Sequence, residues 1–136
     1  MSLGIYLFYN GNCEEAMNFY KEAFNAEIGM LQRYGESQAP SADELKDKVM
    51  HGVMNIMGGV VMFSDSDGKK HINFGDNFSV SLDYKDVADM QRAFDAVSAG
   101  GSVTMPLQDT FWGARFGMCT DKFGVNWMFN HDYPKS

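Results

Sequence analysis

Three histidines, two cysteines and one strand arginine carry most of the chemical reach of this sequence. His51, His71 and His131 have none of the i, i+2 or i, i+4 spacings that set two imidazoles on one metal. Cys13 and Cys119 stand too far apart for a zinc knuckle or a disulfide scaffold. They read as two reduced thiols, which fits a cytoplasmic protein. Cys13 opens a candidate helix, and a helix N-terminus lowers a thiol pKa, while Glu14 and Glu15 beside it push the other way. No Gly-x-Ser-x-Gly elbow is present and Ser79 has no identifiable His and Asp partners, so the pattern of a nucleophilic triad is missing. More informative are polar residues on strands whose other face is apolar: His51, Asn55, Ser79, Ser81, Arg115, Asn126 and Asn130. Burying polar groups costs free energy unless they are paired or hydrated. Their convergence suggests a solvated pocket for a polar ligand. One Arg and one His with no Glu among them favour an anionic or carbonyl-bearing ligand. The competing reading is that these groups satisfy one another or meet a partner subunit, with Arg115 paired to Asp83.

The elements that must position these residues follow from hydrophobic spacing. Residues 3–10 (LGIYLFYN) read as a strand, broken by Gly11-Asn12. Asn12 fits a helix N-cap with Glu15 completing a capping box, and Ala16, Met17, Tyr20, Ala23 and Phe24 follow at helical spacing. Strands are expected at 27–34, 50–57 and 60–64, the last two joined by a tight turn at Gly58-Gly59. The polar stretch 35–48 contains Pro40 and a second capping box at Ser41–Glu44, which predicts a short helix in a loop or lid. A Gly/Asp/Asn-rich linker at 65–77 follows, with Lys69-Lys70 read as a solvated turn. The pattern then restarts. A strand at 78–84 precedes a helix capped by Asp86 and carrying Val87, Met90, Ala93, Phe94 and Val97, and strands at 102–105, 115–120 and 125–130 complete the second half. Each half thus reads strand, helix, three strands: a duplication of βαβββ units, near residues 3–65 and 77–131, within one domain.

Alternation assigns faces. Phe78, Val80 and Leu82 on one side leave Ser79, Ser81 and Asp83 on the other. Val125, Trp127 and Phe129 leave Asn126, Met128 and Asn130; Met50, Met54 and Ile56 leave His51, Val53 and Asn55. Phe116 and Met118 are expected to pack outward, leaving Arg115, Gly117 and Cys119 inward. The first and fourth strands are apolar on both sides; by analogy with their repeat mates, Ile5, Leu7, Tyr9, Met62 and Ser64 are expected to face inward. Phe111 and Trp112 lie in a Gly-flanked loop before the Arg115 strand, placed either to close a pocket or to anchor a dimer.

Composition narrows the function classes. With 11 basic and 18 acidic residues the net charge is −7, which argues against a nucleic-acid partner and gives no hint of an anionic membrane. A hydrophobic fraction of 45 % supports a packed core and excludes disorder. No apolar run approaches the roughly 18–20 residues of a membrane helix, and no leader pattern opens the sequence.

The motifs NGNCEEAMNFYKEAFNAEI at Asn10–Ile28, MHGVMNIMGG at Met50–Gly59 and VTMPLQDTFWGARFGMCTDKFGVNWMFN at Val103–Asn130 resemble the PhnB-like branch of the vicinal-oxygen-chelate superfamily. This is the glyoxalase/bleomycin-resistance/dioxygenase group, and the branch sometimes carries the label 3-demethylubiquinone-9 3-methyltransferase. Nothing in the sequence resembles the Gly-rich cofactor loop of a nucleotide-fold methyltransferase. The resemblance implies an α+β fold of two tandem βαβββ units. Each curls a mixed sheet around a cavity with its helix on the outer face, usually in a homodimer. It also implies four metal positions from the first and fourth strands of each unit. These fall on Ile5, Met62, Ser79 and Met128, the first and third uncertain by a residue. None is a His or carboxylate, so no metal and no cofactor are expected.

The favoured expectation is a metal-free protein that binds a small polar or anionic molecule in a dimer cavity. Its contacts would be His51, Asn55, Ser79, Ser81, Trp112, Arg115, Asn126 and Asn130. The alternative is an enzyme, either metal-free with His51 as general acid or base and Arg115 as oxyanion partner, or with a relocated divalent metal.

Overall fold

The computed structural model describes residues 3–37 and 42–135. The chain divides into two compact units, residues 1–73 and 74–136. The first contains β1 (Ile5–Tyr9), α1 (Cys13–Phe24), β2 (Glu27–Arg33), β3 (Val49–Ile56) and β4 (Gly59–Asp65). The second contains β5 (Val80–Asp83), α2 (Val87–Ser98), β6 (Ser102–Asp109), β7 (Ala114–Thr120) and β8 (Asn126–Asp132). Each unit is an open four-stranded mixed sheet, ordered β1-β4-β3-β2 and β5-β8-β7-β6. In both, the first strand pairs parallel with the fourth and the other ladders are antiparallel. This is the α+β, tandem βαβββ architecture expected from element order.

The helices form where apolar spacing places them. Ala16, Met17 and Tyr20 of α1 are buried, as are Met90, Ala93, Phe94 and Val97 of α2. Tyr20 stacks on Phe63 of β4 and hydrogen-bonds Tyr9 of β1 between hydroxyls at 3.0 Å. Phe94 meets Phe129 of β8 edge-on, with ring centroids 5.2 Å apart. Gly52 is buried because α1 comes close: a Cβ there would lie 2.6 Å from the Met17 methyl.

Several boundaries differ from the sequence reading. The β3–β4 turn is Met57-Gly58, both at positive φ (56° and 85°), with Ile56 paired to Gly59. Positive φ at both central residues matches the strand twist of a hairpin. β5 begins only at Val80, leaving Phe78 and Ser79 outside it, and β6 runs on through Pro106 to Asp109. Pro106 is tolerated because β6 is an edge strand and its register shifts there. A 3-10 turn at Asp43–Leu45 stands where a short helix was expected, another at Tyr34–Glu36 follows β2, and Ser41 lies outside the described residues.

The helix caps split in the same way. Asp86 caps α2 as expected, accepting from the Ala88 N–H at 2.9 Å. Asn12 makes no side-chain cap bond. Its place is taken by Asp65 at the end of β4, whose Oδ1 accepts from the N–H groups of Gly11 (2.8 Å) and Cys13 (3.0 Å). Its Oδ2 accepts from the Val49 N–H at 2.9 Å, so one buried carboxylate ties together α1, β3 and β4. In the second unit Asp121 accepts from the N–H groups of Phe123 and Val125 and from the Trp127 indole at 2.8 Å.

Candidate functional site

Each sheet has one face under its helix and one open face, and the ladder register decides which residue lies where, because directly paired residues share a side. In the first unit the open face carries a row across all four strands: Met30, Val53, Met62 and Tyr6. Gln32 pairs with His51 and Phe8 with Ser64 on the same face. Leu7 and Tyr9 are buried on the helix side instead, which corrects the expectation that Ile5, Leu7 and Tyr9 face inward. Sequence alternation missed Tyr6 and Phe8 because β1 is apolar on both sides.

The open face has a defined centre. The Tyr6 hydroxyl lies 2.8 Å from Nδ1 of His51, with the rings 5.7 Å apart. Phe8 stacks on Tyr6 at 4.8 Å and an interplanar angle of 12°. Burial is the main cause that pushes the Tyr6 phenol above its ordinary value of 10.0, so it stays protonated at neutral pH. Either the phenol O–H or the imidazole Nδ1–H is the donor of this bond, and in both cases it orients the imidazole ring. Phe8 and Met30 beside it are 47 % and 43 % exposed, an apolar surround left uncovered by the described residues of the unit.

In the second unit the corresponding row is Met105, Met118, Met128 and Ser81. Phe116 pairs with Asn130 and Thr120 with Asn126 on this face. Arg115 pairs with His131, Gly117 with Phe129 and Cys119 with Trp127 on the other. The expected sides of β7 are therefore reversed. Arg115 stands away from Asn126 and Asn130, and its ion-pair partner is Asp109 at 3.1 Å, not Asp83. Tyr133 and Arg115 together hold the Asp109 carboxyl below its usual range.

Several expected ligand contacts are engaged within the fold. Asn55 accepts from the Gly58 N–H at 3.0 Å and braces the β3–β4 turn. Asn126 donates to the carbonyls of Gly75 and Phe78 and meets Thr120 Oγ1 at 2.7 Å. Asn130 donates to Asp83 and Asp132, each at 3.1 Å. Ser79 and Ser81 are exposed. Trp112 is 58 % exposed at the tip of the β6–β7 hairpin, edge-on to Phe111 and Phe116.

A model of the family described as 3-demethylubiquinone-9 3-methyltransferase matches residues 2–129. The chain belongs to this family. It is 34 % identical to protein YjdN of Escherichia coli over 140 residues, covering 96 % of this chain and 95 % of the relative. Protein PA1353 from Pseudomonas aeruginosa is 38 % identical, with TM-score 0.89 and coverage of 98 % and 99 %. A PhnB protein from Bacillus cereus is 26 % identical, with TM-score 0.81 and coverage of 96 % and 99 %. At 12 % identity, a glyoxylase/bleomycin resistance protein/dioxygenase domain from Frankia shares the fold, with TM-score 0.73 over 100 % of this chain and 94 % of that one. The PhnB-like family thus shares its fold with that domain. Its two mixed sheets, each with one helix, differ from the doubly wound parallel sheet that binds nucleotide cofactors.

The register also bears on the metal positions that the sequence resemblance implies for this PhnB-like chain. Met62 pairs with Tyr6, and Met128 with Ser81, so Tyr6 and Ser81 are the first-strand residues that stand directly beside the two expected fourth-strand positions. A protonated phenol, a hydroxyl and two thioethers do not fit a hard or borderline divalent ion. Among the described residues no three His, Cys, Asp or Glu come together as a ligand group.

Proposed function

We propose that this PhnB-like protein binds a small polar or anionic molecule, without a metal, on the open sheet face centred on Tyr6 and His51. The observation that carries this reading is the 2.8 Å Tyr6–His51 hydrogen bond on an exposed sheet face, flanked by the apolar side chains of Phe8, Met30, Val53 and Met62. The phenol orients the imidazole, and Nε2 is left, as donor or acceptor, to meet a polar group of the ligand. Phe8 offers a ring for a flat apolar part of the same molecule. The exposure of Phe8 and Met30 supports cover by the ligand within a homodimer. Two buried free thiols support a reducing, cytoplasmic setting.

Native mass spectrometry of protein purified without added metal tests this. The expected result is a metal-free dimer carrying an organic adduct whose affinity falls about fivefold in Phe8→Ala and His51→Gln, as loss of roughly 1 kcal/mol of stacking or hydrogen bonding dictates. A stoichiometric divalent metal, or an adduct indifferent to both substitutions, would overturn the proposal.

A second reading shares the same pair. An imidazole oriented by a neighbouring hydroxyl is the arrangement of a general acid or base, so the face also supports metal-free proton transfer. Under that reading His51→Gln abolishes turnover while binding changes only modestly; retained turnover removes His51 as the proton carrier.

A further inference from the structure

The turn between β1 and α1, the residues before β3 and the linker after β4 line an open cavity of about 310 Å³ that shares no lining residue with the Tyr6–His51 face. Its ionisable lining consists of Lys48, Lys70 and His71, with no carboxylate. That concentration of basic groups stands in a chain of net charge −7. Asp65, which binds the backbone beside this cavity, is buried and engaged by three backbone N–H groups. Asp67 in the linker does not line it and accepts from the Lys69 N–H at 2.9 Å.

The basic groups are held in place before any ligand arrives. Lys48 Nζ donates to the Gly11 carbonyl at 2.9 Å, which leaves two of its three N–H bonds for a ligand. The Asn10 side chain grips Ile72 in both directions, donating to its carbonyl at 2.9 Å and accepting from its N–H at 2.8 Å. Ser66 Oγ donates to the Lys70 carbonyl and accepts from the Gly68 N–H at 3.2 Å. The backbone is thus fixed on both sides of Lys70 and His71, so little ordering remains for binding to impose.

We infer that this cavity is a second binding site, for a small molecule with an oxyanion headgroup, phosphate or carboxylate. Two ammonium groups and an imidazole supply charge-assisted hydrogen bonds to such a group. The volume lies at the lower end of small-molecule pockets, and Leu45 provides an apolar wall for the organic part.

The test is an amide-shift titration of the full chain with inorganic phosphate and, separately, with acetate at matched ionic strength. Saturable shifts are expected at Gly11, Ser66, Gly68 and Lys70, and the tighter anion identifies the headgroup. The Lys70→Ser/His71→Asn double variant should bind about tenfold or more weakly. Its melting temperature should stay at the parent value, because both side chains are exposed. Lys48→Met should weaken binding too, but it also removes the bond to Gly11, so the exposed pair is the decisive variant. Shifts that grow without saturating, or an unchanged Kd in the double variant, would mean general ionic screening and overturn the site.

Discussion

Asp65→Ala is the sharpest perturbation of the first unit. The carboxylate is 2 % exposed and accepts three backbone N–H bonds, from Gly11, Cys13 and Val49. Cys13 and Val49 are fully buried, so their N–H groups gain no water when the acceptor goes; Gly11 is half-buried and regains some. Each buried N–H left unpaired costs about 1–3 kcal/mol. Part of this is offset because a buried charge no longer has to be desolvated. The net expectation is about 3–5 kcal/mol, a large share of the roughly 5–15 kcal/mol that holds an ordinary domain folded. Asp65→Asn keeps one oxygen for two of the three bonds and turns an NH2 toward the third, so it should fall between Ala and the parent. Urea unfolding followed by circular dichroism measures both, and native-state hydrogen exchange should show faster opening at Cys13 and Val49. An Asp65→Ala variant within about 1 kcal/mol of the parent would refute the assignment of this carboxylate as the tie between helix and sheet.

Two glycine substitutions separate hard from soft contacts. A Cβ on Gly101 would lie 2.1 Å from the Thr120 carbonyl oxygen, while one on Gly52 meets only the flexible end of Met17 at 2.6 Å. Gly101→Ala should therefore cost about 4 kcal/mol or more and Gly52→Ala about 1–3 kcal/mol, and equal urea midpoints would contradict this. Alkaline stability offers a further check. Burial pushes Cys119 up to about 12 from 9.0, raises Cys13 as well, and pushes Tyr84 up to about 12 from 10.0. The unfolded chain loses these protons first, so stability is complete below about pH 8 and falls as pH climbs from there toward 12. The urea midpoint should drop between pH 8 and 10, and less so in Cys119→Ala; a rising midpoint would break the argument.

Element order, both helix faces and the Asp86 cap were legible in spacing alone, because each helix has one buried stripe and α2 is capped by a residue adjacent in sequence. The sides of β1 and β7 were not. Both faces of these sheets carry apolar residues, so alternation identifies two sides without saying which one lies under the helix. On β7 the helix side holds small Gly117 and Cys119, while Phe116 and Met118 take the open side. Arg115 followed them to the wrong face, and Tyr6 was overlooked for the same reason. Asp65 and Asp121 were also invisible: they sit at strand and turn ends like any polar punctuation, and their partners, apart from the neighbours of Asp121, are brought to them only by the fold.

The methionines supply a set of built-in spectroscopic reporters. Met17, Met54 and Met90 are wholly enclosed between helix and sheet. Met30 and Met62 in one unit, and Met105, Met118 and Met128 in the other, lie along the middle rows of the open faces with partial exposure. Carbon-13 labelling of the methyl groups would thus divide one spectrum into core resonances and face resonances. A molecule settling on either open face would move only the second group and would name the unit it chose. Mild peroxide would sort them the same way, because sulfoxide formation needs access to the sulfur. The pliable thioether strip that lets such a surface adapt to its ligand is also the part of the molecule most readily altered by oxidation.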